Sequence, residues 1–88
     1  MTYENAKILL GLQNRNLRKI NGTRFEHNGY EYRLTYEGGF ASGVCIDRRQ
    51  IGRRNFKYFD YVGGWKCGTV TQLMDLIMEE INKKGNRK

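Results

Sequence analysis

Residues 30–37 alternate without interruption: Tyr30, Tyr32, Leu34 and Tyr36 fall on one side, Glu31, Arg33, Thr35 and Glu37 on the other. Successive side chains of an extended chain point to opposite faces. This period of two therefore predicts a strand with one face buried and one face polar. Such a strand needs antiparallel neighbours and a layer to cover its apolar side.

The cover is legible at the C-terminal end. Val70, Leu73, Met74, Ile77 and Ile81 recur at helical spacing, with Leu76 and Met78 widening the stripe and Asp75, Glu79 and Asn82 opposite. Thr69-Val70-Thr71-Gln72 reads as a capping box at the start of this helix. Lys83-Lys84-Gly85 places positive charge and a stop signal at its end. Residues 83–88 are read as a basic tail, with Asn86-Arg87-Lys88 loose.

Neighbours for the long strand follow from the turn residues. Asn21-Gly22 and Asn28-Gly29 suit two-residue hairpin turns, which need positive φ. They predict short strands over 17–20 and 23–27 before the strand that follows residue 29. Gly38-Gly39 ends that strand. The next run, 40–47, carries Val44 and Ile46 on one face and the small residues Ala41, Gly43 and Cys45 on the other. Cys45 is read as inward-facing and as acting like a small apolar residue. The run 55–62 has aromatics on both faces, Phe56 and Tyr58 and then Phe59 and Tyr61, before Gly63-Gly64. At the N-terminus, Thr2 as N-cap, Glu4 in the first turn and the stripe Ala6, Leu9, Leu10, Gln13 predict a short helix over about 3–14, weakened by Gly11. The expected fold is α+β: a small antiparallel sheet of three to five strands, packed by the C-terminal amphipathic helix, with a short N-terminal helix. The 88 residues make one domain, 1–88.

Charge supplies the functional signal. The formal net charge is +7, and it is clustered. Arg48, Arg49, Arg53 and Arg54 crowd into the connector 48–54, with Lys57 just beyond. Guanidinium forks match phosphate oxygens two at a time, so a basic connector between strands suits a polyanion. If 48–57 forms a two-stranded ribbon with Ile51-Gly52 at its tip, it can enter the major groove of a duplex. Gln50, Arg33 and Lys57 would then reach base edges, with Lys66 adding charge. Tyr58, Phe59, Tyr61 and Trp65 are the candidates for stacking on bases or meeting a protein partner. The expected partner is DNA or RNA, bound without catalysis.

The rival expectation is a small phage or mobile-element type of protein that docks on a host nucleic-acid enzyme, such as a defence nuclease, and inhibits it. A third class, a small metal-dependent nuclease, would need clustered carboxylates, for which Asp47 and Asp60 are the candidates. Local charge balance explains both better, since Asp47 abuts Arg48 and Asp60 neighbours Lys57. His27 has no nucleophile paired with it in sequence. His27, Cys45 and Cys67 lack metal-ligand spacing, so no metal or cofactor is expected. No apolar run approaches a membrane span, and residues 1–5 carry no secretory signal, which points to a cytoplasmic protein with reduced thiols.

The order helix, three main strands, helix resembles that of double-stranded-RNA-binding domains, and three strands with a packing helix resemble integrase arm-binding DNA modules. The Lys-Lys-x-x-Lys helix start of the RNA-binding domain is replaced here by Thr69-Val70-Thr71-Gln72. Element order alone assigns no family.

Overall fold

The computed structural model describes residues 1–13, 20–37, 43–63 and 70–85, with residues 10–13 as backbone alone. Helix α1 (Tyr3–Gln13) is followed by strands β1 (Arg24–His27), β2 (Tyr30–Glu37), β3 (Gly43–Gln50) and β4 (Lys57–Val62), then helix α2 (Val70–Gly85). The strands form one antiparallel meander in the order β1-β2-β3-β4. This is the expected α+β architecture.

The alternation of β2 is realised. Tyr32 and Leu34 are buried, and Tyr30 and Tyr36 pack at the margin of the core. Their neighbours on the same face are Phe25 of β1, Val44 and Ile46 of β3, and Phe59 and Val62 of β4. Val70, Leu73, Met74, Ile77 and Ile81 of α2 close over them, joined by Tyr3 and Ala6 of α1 and by Ile20. Each fully buried Val, Leu, Ile, Phe or Met side chain among them contributes about 1.5–3 kcal/mol. An aromatic relay runs through this layer. Tyr3 meets Phe25 edge-on at 5.6 Å, Phe25 stacks on Tyr32 at 5.5 Å, and Tyr32 meets Phe59 edge-on at 5.6 Å.

The Asn28-Gly29 turn has φ of 51° and 83°, the pair of left-handed residues that a two-residue hairpin requires. Asn21-Gly22 behaves differently. Only Gly22 has positive φ, and Thr23 N–H donates to the Ile20 carbonyl at 3.0 Å, so this is a tight turn leading into β1 rather than a hairpin between strands. Ile20 lies in a short helical turn and not in the expected strand 17–20, whose remaining residues lie outside those described.

Four further expectations are corrected. Leu9 and Ile8 are exposed, and α1 meets the core through Tyr3 and Ala6, one turn apart. Leu76, expected to widen the α2 stripe, is 37% exposed. Cys45 lies on the face away from the helices, between the inward residues Val44 and Ile46, with its Sγ 3.8 Å from Asp47 Oδ1. Burial and then the Asp47 charge push its thiol pKa up, which keeps it protonated and unreactive. Lys83 and Lys84, expected in a basic tail, lie inside α2, and residues 86–88 lie outside the described residues. Residues 38–42 and 64–69, including the Gly38-Gly39 break and the Thr69 cap, lie outside the described residues.

The register of β3 with β4 shifts after Ile46. Ile46 faces Asp60 and Asp47 faces Tyr58, so Phe59 has no opposite residue. This bulge lets Phe59 enter the core while Tyr58 and Tyr61 stay exposed.

Candidate nucleic-acid interface

Strand β3 extends to Gln50, so Arg48 and Arg49 are strand residues and not part of a loop. The pleat therefore sends them to opposite faces. Arg48 shares its face with Val44 and Ile46. Its guanidinium carbon lies 4.2 Å from the centroid of the Tyr30 ring and 4.5 Å from that of Phe59. Arg49 shares its face with Cys45 and Asp47, and there it meets other charged residues.

On that helix-free face the arginines are committed to the fold. Arg49 Nη2 lies 2.6 Å from Glu31 Oε1, and its Nη1 donates to the Arg54 carbonyl at 2.9 Å. Arg33 Nη2 lies 3.2 Å from Asp47 Oδ2. Phe56 folds back beneath these groups. The guanidinium carbons of Arg33 and Arg49 each sit 4.4 Å from its ring centroid, and that of Arg24 sits at 5.2 Å. Three cations around one ring hold the segment after the turn against the sheet.

The turn itself is Gln50-Ile51-Gly52-Arg53. Arg53 N–H donates to the Gln50 carbonyl at 3.0 Å, and Gly52 has φ of +97°, which its lack of a Cβ allows. Ile51 N–H donates to the Gly29 carbonyl at 3.1 Å, so this turn is tied to the β1–β2 turn beside it. The expected two-stranded ribbon forms between β3 and β4 with Ile51-Gly52 at its tip, but it does not stand free of the sheet. The hairpin tip lies against its neighbouring turn, and residues 53–56 are drawn back along the sheet.

A groove of about 1020 Å³ forms at the end of β3 and β4, closed on one side by the last turn of α2. Arg48, Arg49, Gln50, Gly52, Arg53, Arg54, Asn55, Lys57 and Lys84 line it, together with the rings of Tyr30, Tyr58 and Phe59. Six of these residues are cationic, and no carboxylate is among the described lining residues. Arg53, Arg54 and Lys57 are exposed, and none of them is ion-paired with an acid among the described residues. Tyr58 is 66% exposed. Lys84 spans the groove's end, donating from Nζ to the Phe59 carbonyl at 2.5 Å and lying 3.6 Å from Asp60 Oδ1.

The expected site residues therefore divide. Arg48, Arg49, Gln50, Arg53, Arg54, Lys57 and Tyr58 come together, with Arg49 paired to Glu31. Phe59 lies under the groove, but at 7% exposure its ring serves the core and is closed to stacking by a ligand. Arg33 is on the other face, paired with Asp47, and so cannot join Gln50 and Lys57 in reading bases. Tyr61 pairs in register with Cys45, away from the groove, and its hydroxyl crowds Gly43. Trp65, Lys66 and Cys67 lie outside the described residues. Tyr30 and Lys84 are groove residues that sequence reasoning missed. Tyr30 was assigned to the core face by its alternation. Lys84 reaches the site only because α2 packs with its C-terminal end beside β4.

The two carboxylates considered for a metal site are separated. Asp47 is held by Arg33 on the helix-free face, and Asp60 by Lys84 on the helix side. Among the described residues no group of His, Cys, Asp and Glu is arranged to hold a metal ion. His27 Nε2 lies 3.2 Å from both Asn82 Oδ1 and Asn28 Nδ2, in a small amide network. No described helix is long and apolar enough to cross a membrane. Comparisons with family models, with curated proteins and with solved structures found no match.

Proposed function

We propose that the protein is a non-catalytic nucleic-acid-binding domain and that the groove at the end of β3 and β4 is its binding surface. The observation that carries this reading is the groove's composition. Six cations line one concavity, and four of them, Arg48, Arg53, Arg54 and Lys57, are ion-paired with no described acid, beside a tyrosine ring open to solvent. Fixed positive charge of this kind supplies affinity for a phosphate backbone through counterion release, independent of sequence. The site is held in place before any ligand arrives, because Arg49, Phe56 and the Ile51–Gly29 hydrogen bond anchor its turn. Pre-ordering of this sort lowers the entropy lost on binding.

The test is a titration of fluorescent oligonucleotides at several salt concentrations. With three to five phosphates neutralised, log K is expected to fall with log salt at a slope of about −2 to −4. Undetectable binding at low salt would overturn the proposal and leave the protein-docking alternative, in which the same face meets a nucleic-acid enzyme.

A further inference from the structure

The shape of the site discriminates between forms of nucleic acid. A β-ribbon that reads a duplex must project into a major groove about 8.5 Å deep. Here the strand ends lie level. His27 is paired with Tyr30, Tyr30 with Gln50, and the following turn is hydrogen-bonded to Gly29. Among the described residues nothing at this end protrudes to enter a groove. The surface is concave, and its charges stand around a ring.

That ring is Tyr58, 66% exposed. Beside it the Arg48 guanidinium is braced between Tyr30 and Phe59 at 4.2 and 4.5 Å, which fixes a positive charge next to the ring. Arg53, Arg54 and Lys57 lie around these groups. Bases in a duplex are stacked on each other and present only edges. Bases of a single strand can turn outward and lie flat on a ring or a guanidinium plane while the backbone follows the cations.

Resting on the nucleic-acid reading of this groove, we infer that its ligand is single-stranded, with one base stacked on Tyr58 and the flanking phosphates on Arg53, Arg54 and Lys57. The contact is to the face of the base, so it tolerates any sequence.

The full chain is titrated by fluorescence anisotropy against four probes of equal length at one salt concentration: oligo-dT, oligo-U, a mixed-sequence duplex, and a DNA strand whose central residues are abasic. At least one of the two intact single strands is expected to bind about tenfold tighter than the duplex, and the abasic strand about tenfold weaker than oligo-dT. Tyr58→Ala is expected to lose about tenfold on the intact strand and little on the abasic one, with Tyr58→Phe restoring the loss. Tyr58 is exposed, so these variants keep the fold. A duplex bound as tightly as both single strands, or an abasic strand bound as tightly as the intact one, overturns the inference while nucleic-acid binding stands. Failure to bind any probe overturns the underlying reading as well.

Discussion

Arg48 and Arg49 are consecutive residues of β3, yet their guanidinium groups serve opposite faces of the sheet: Arg48 is braced against Tyr30 and Phe59, and Arg49 is paired with Glu31. A dense arginine cluster in sequence is thereby split into two sets. Arg24, Arg33 and Arg49 cage Phe56 and hold the turn. Arg48, Arg53, Arg54 and Lys57 remain toward the groove.

This division predicts different consequences for two neighbouring substitutions. Arg49→Ala removes a half-buried ion pair with Glu31 and the hydrogen bond to the Arg54 carbonyl, and it should cost about 1–2 kcal/mol of stability. Urea denaturation should show a lower midpoint with an unchanged m-value. Arg53→Ala removes an exposed side chain and should leave the stability within about 0.5 kcal/mol of wild type.

Gly43 is required by its partner strand. A Cβ there would collide with the Tyr61 hydroxyl and ring and lie 2.7 Å from the Val62 carbonyl oxygen. Gly43→Ala should destabilise by about 1–3 kcal/mol. In a double-mutant cycle, Tyr61→Ala should partly relieve that cost, giving a non-additive pair. The Val62 carbonyl is backbone and keeps the relief incomplete.

Core truncation should scale with burial. Phe25 is 1% exposed and touches both Tyr3 and Tyr32, so Phe25→Ala should cost about 3–5 kcal/mol. Ile77 of α2 is fully buried, and Ile77→Val should cost about 0.5–1.5 kcal/mol. Thermal or urea unfolding followed by circular dichroism checks both.

The α1–α2 contact gives an alkaline signature. Tyr3 Oη donates to the Met74 carbonyl at 3.1 Å and to Asp75 Oδ1 at 3.3 Å. Burial, and then the Asp75 charge, raises its pKa from 10.0 to about 12. The unfolded chain thus loses this proton first. Its contribution is complete below pH 10 and should be lost between pH 10 and about 12. Tyr3→Phe should remove that part of the slope of stability against pH. Asp75 behaves in the opposite sense. The Lys7 ammonium, 2.5 Å away, holds its pKa down, so its contribution fades on acidification.

Much of the fold was written locally. The alternation of residues 30–37, the α2 stripe and the Asn28-Gly29 turn each arise from interactions within one element or between sequence neighbours. The Thr2 cap is another case, with its hydroxyl accepting from Asn5 N–H at 3.2 Å. The β4 bulge left no such trace, because Phe56 and Tyr58 on one face and Phe59 and Tyr61 on the other also fit a regular strand. What was hidden depended on distant pairing. Where β3 ends decides whether Arg48 and Arg49 are loop or strand residues, and its pairing with β2 through Gln50 fixes that. The collapse of Phe56 onto three guanidiniums depends on charges from β1, β2 and β3 at once. Lys84 joins the groove through helix docking, which no local pattern encodes.

The central claim is that the groove, rather than the protein's overall positive charge, binds the polyanion. It is tested most directly by comparing two charge-matched single variants, Arg53→Ala in the groove and Lys7→Ala on α1, for oligonucleotide affinity at low salt after their folds are checked by circular dichroism. The groove variant should lose about threefold or more in affinity and flatten the salt slope by about one phosphate, whereas the α1 variant should lose less than about twofold. Equal losses from the two variants would contradict a localised site.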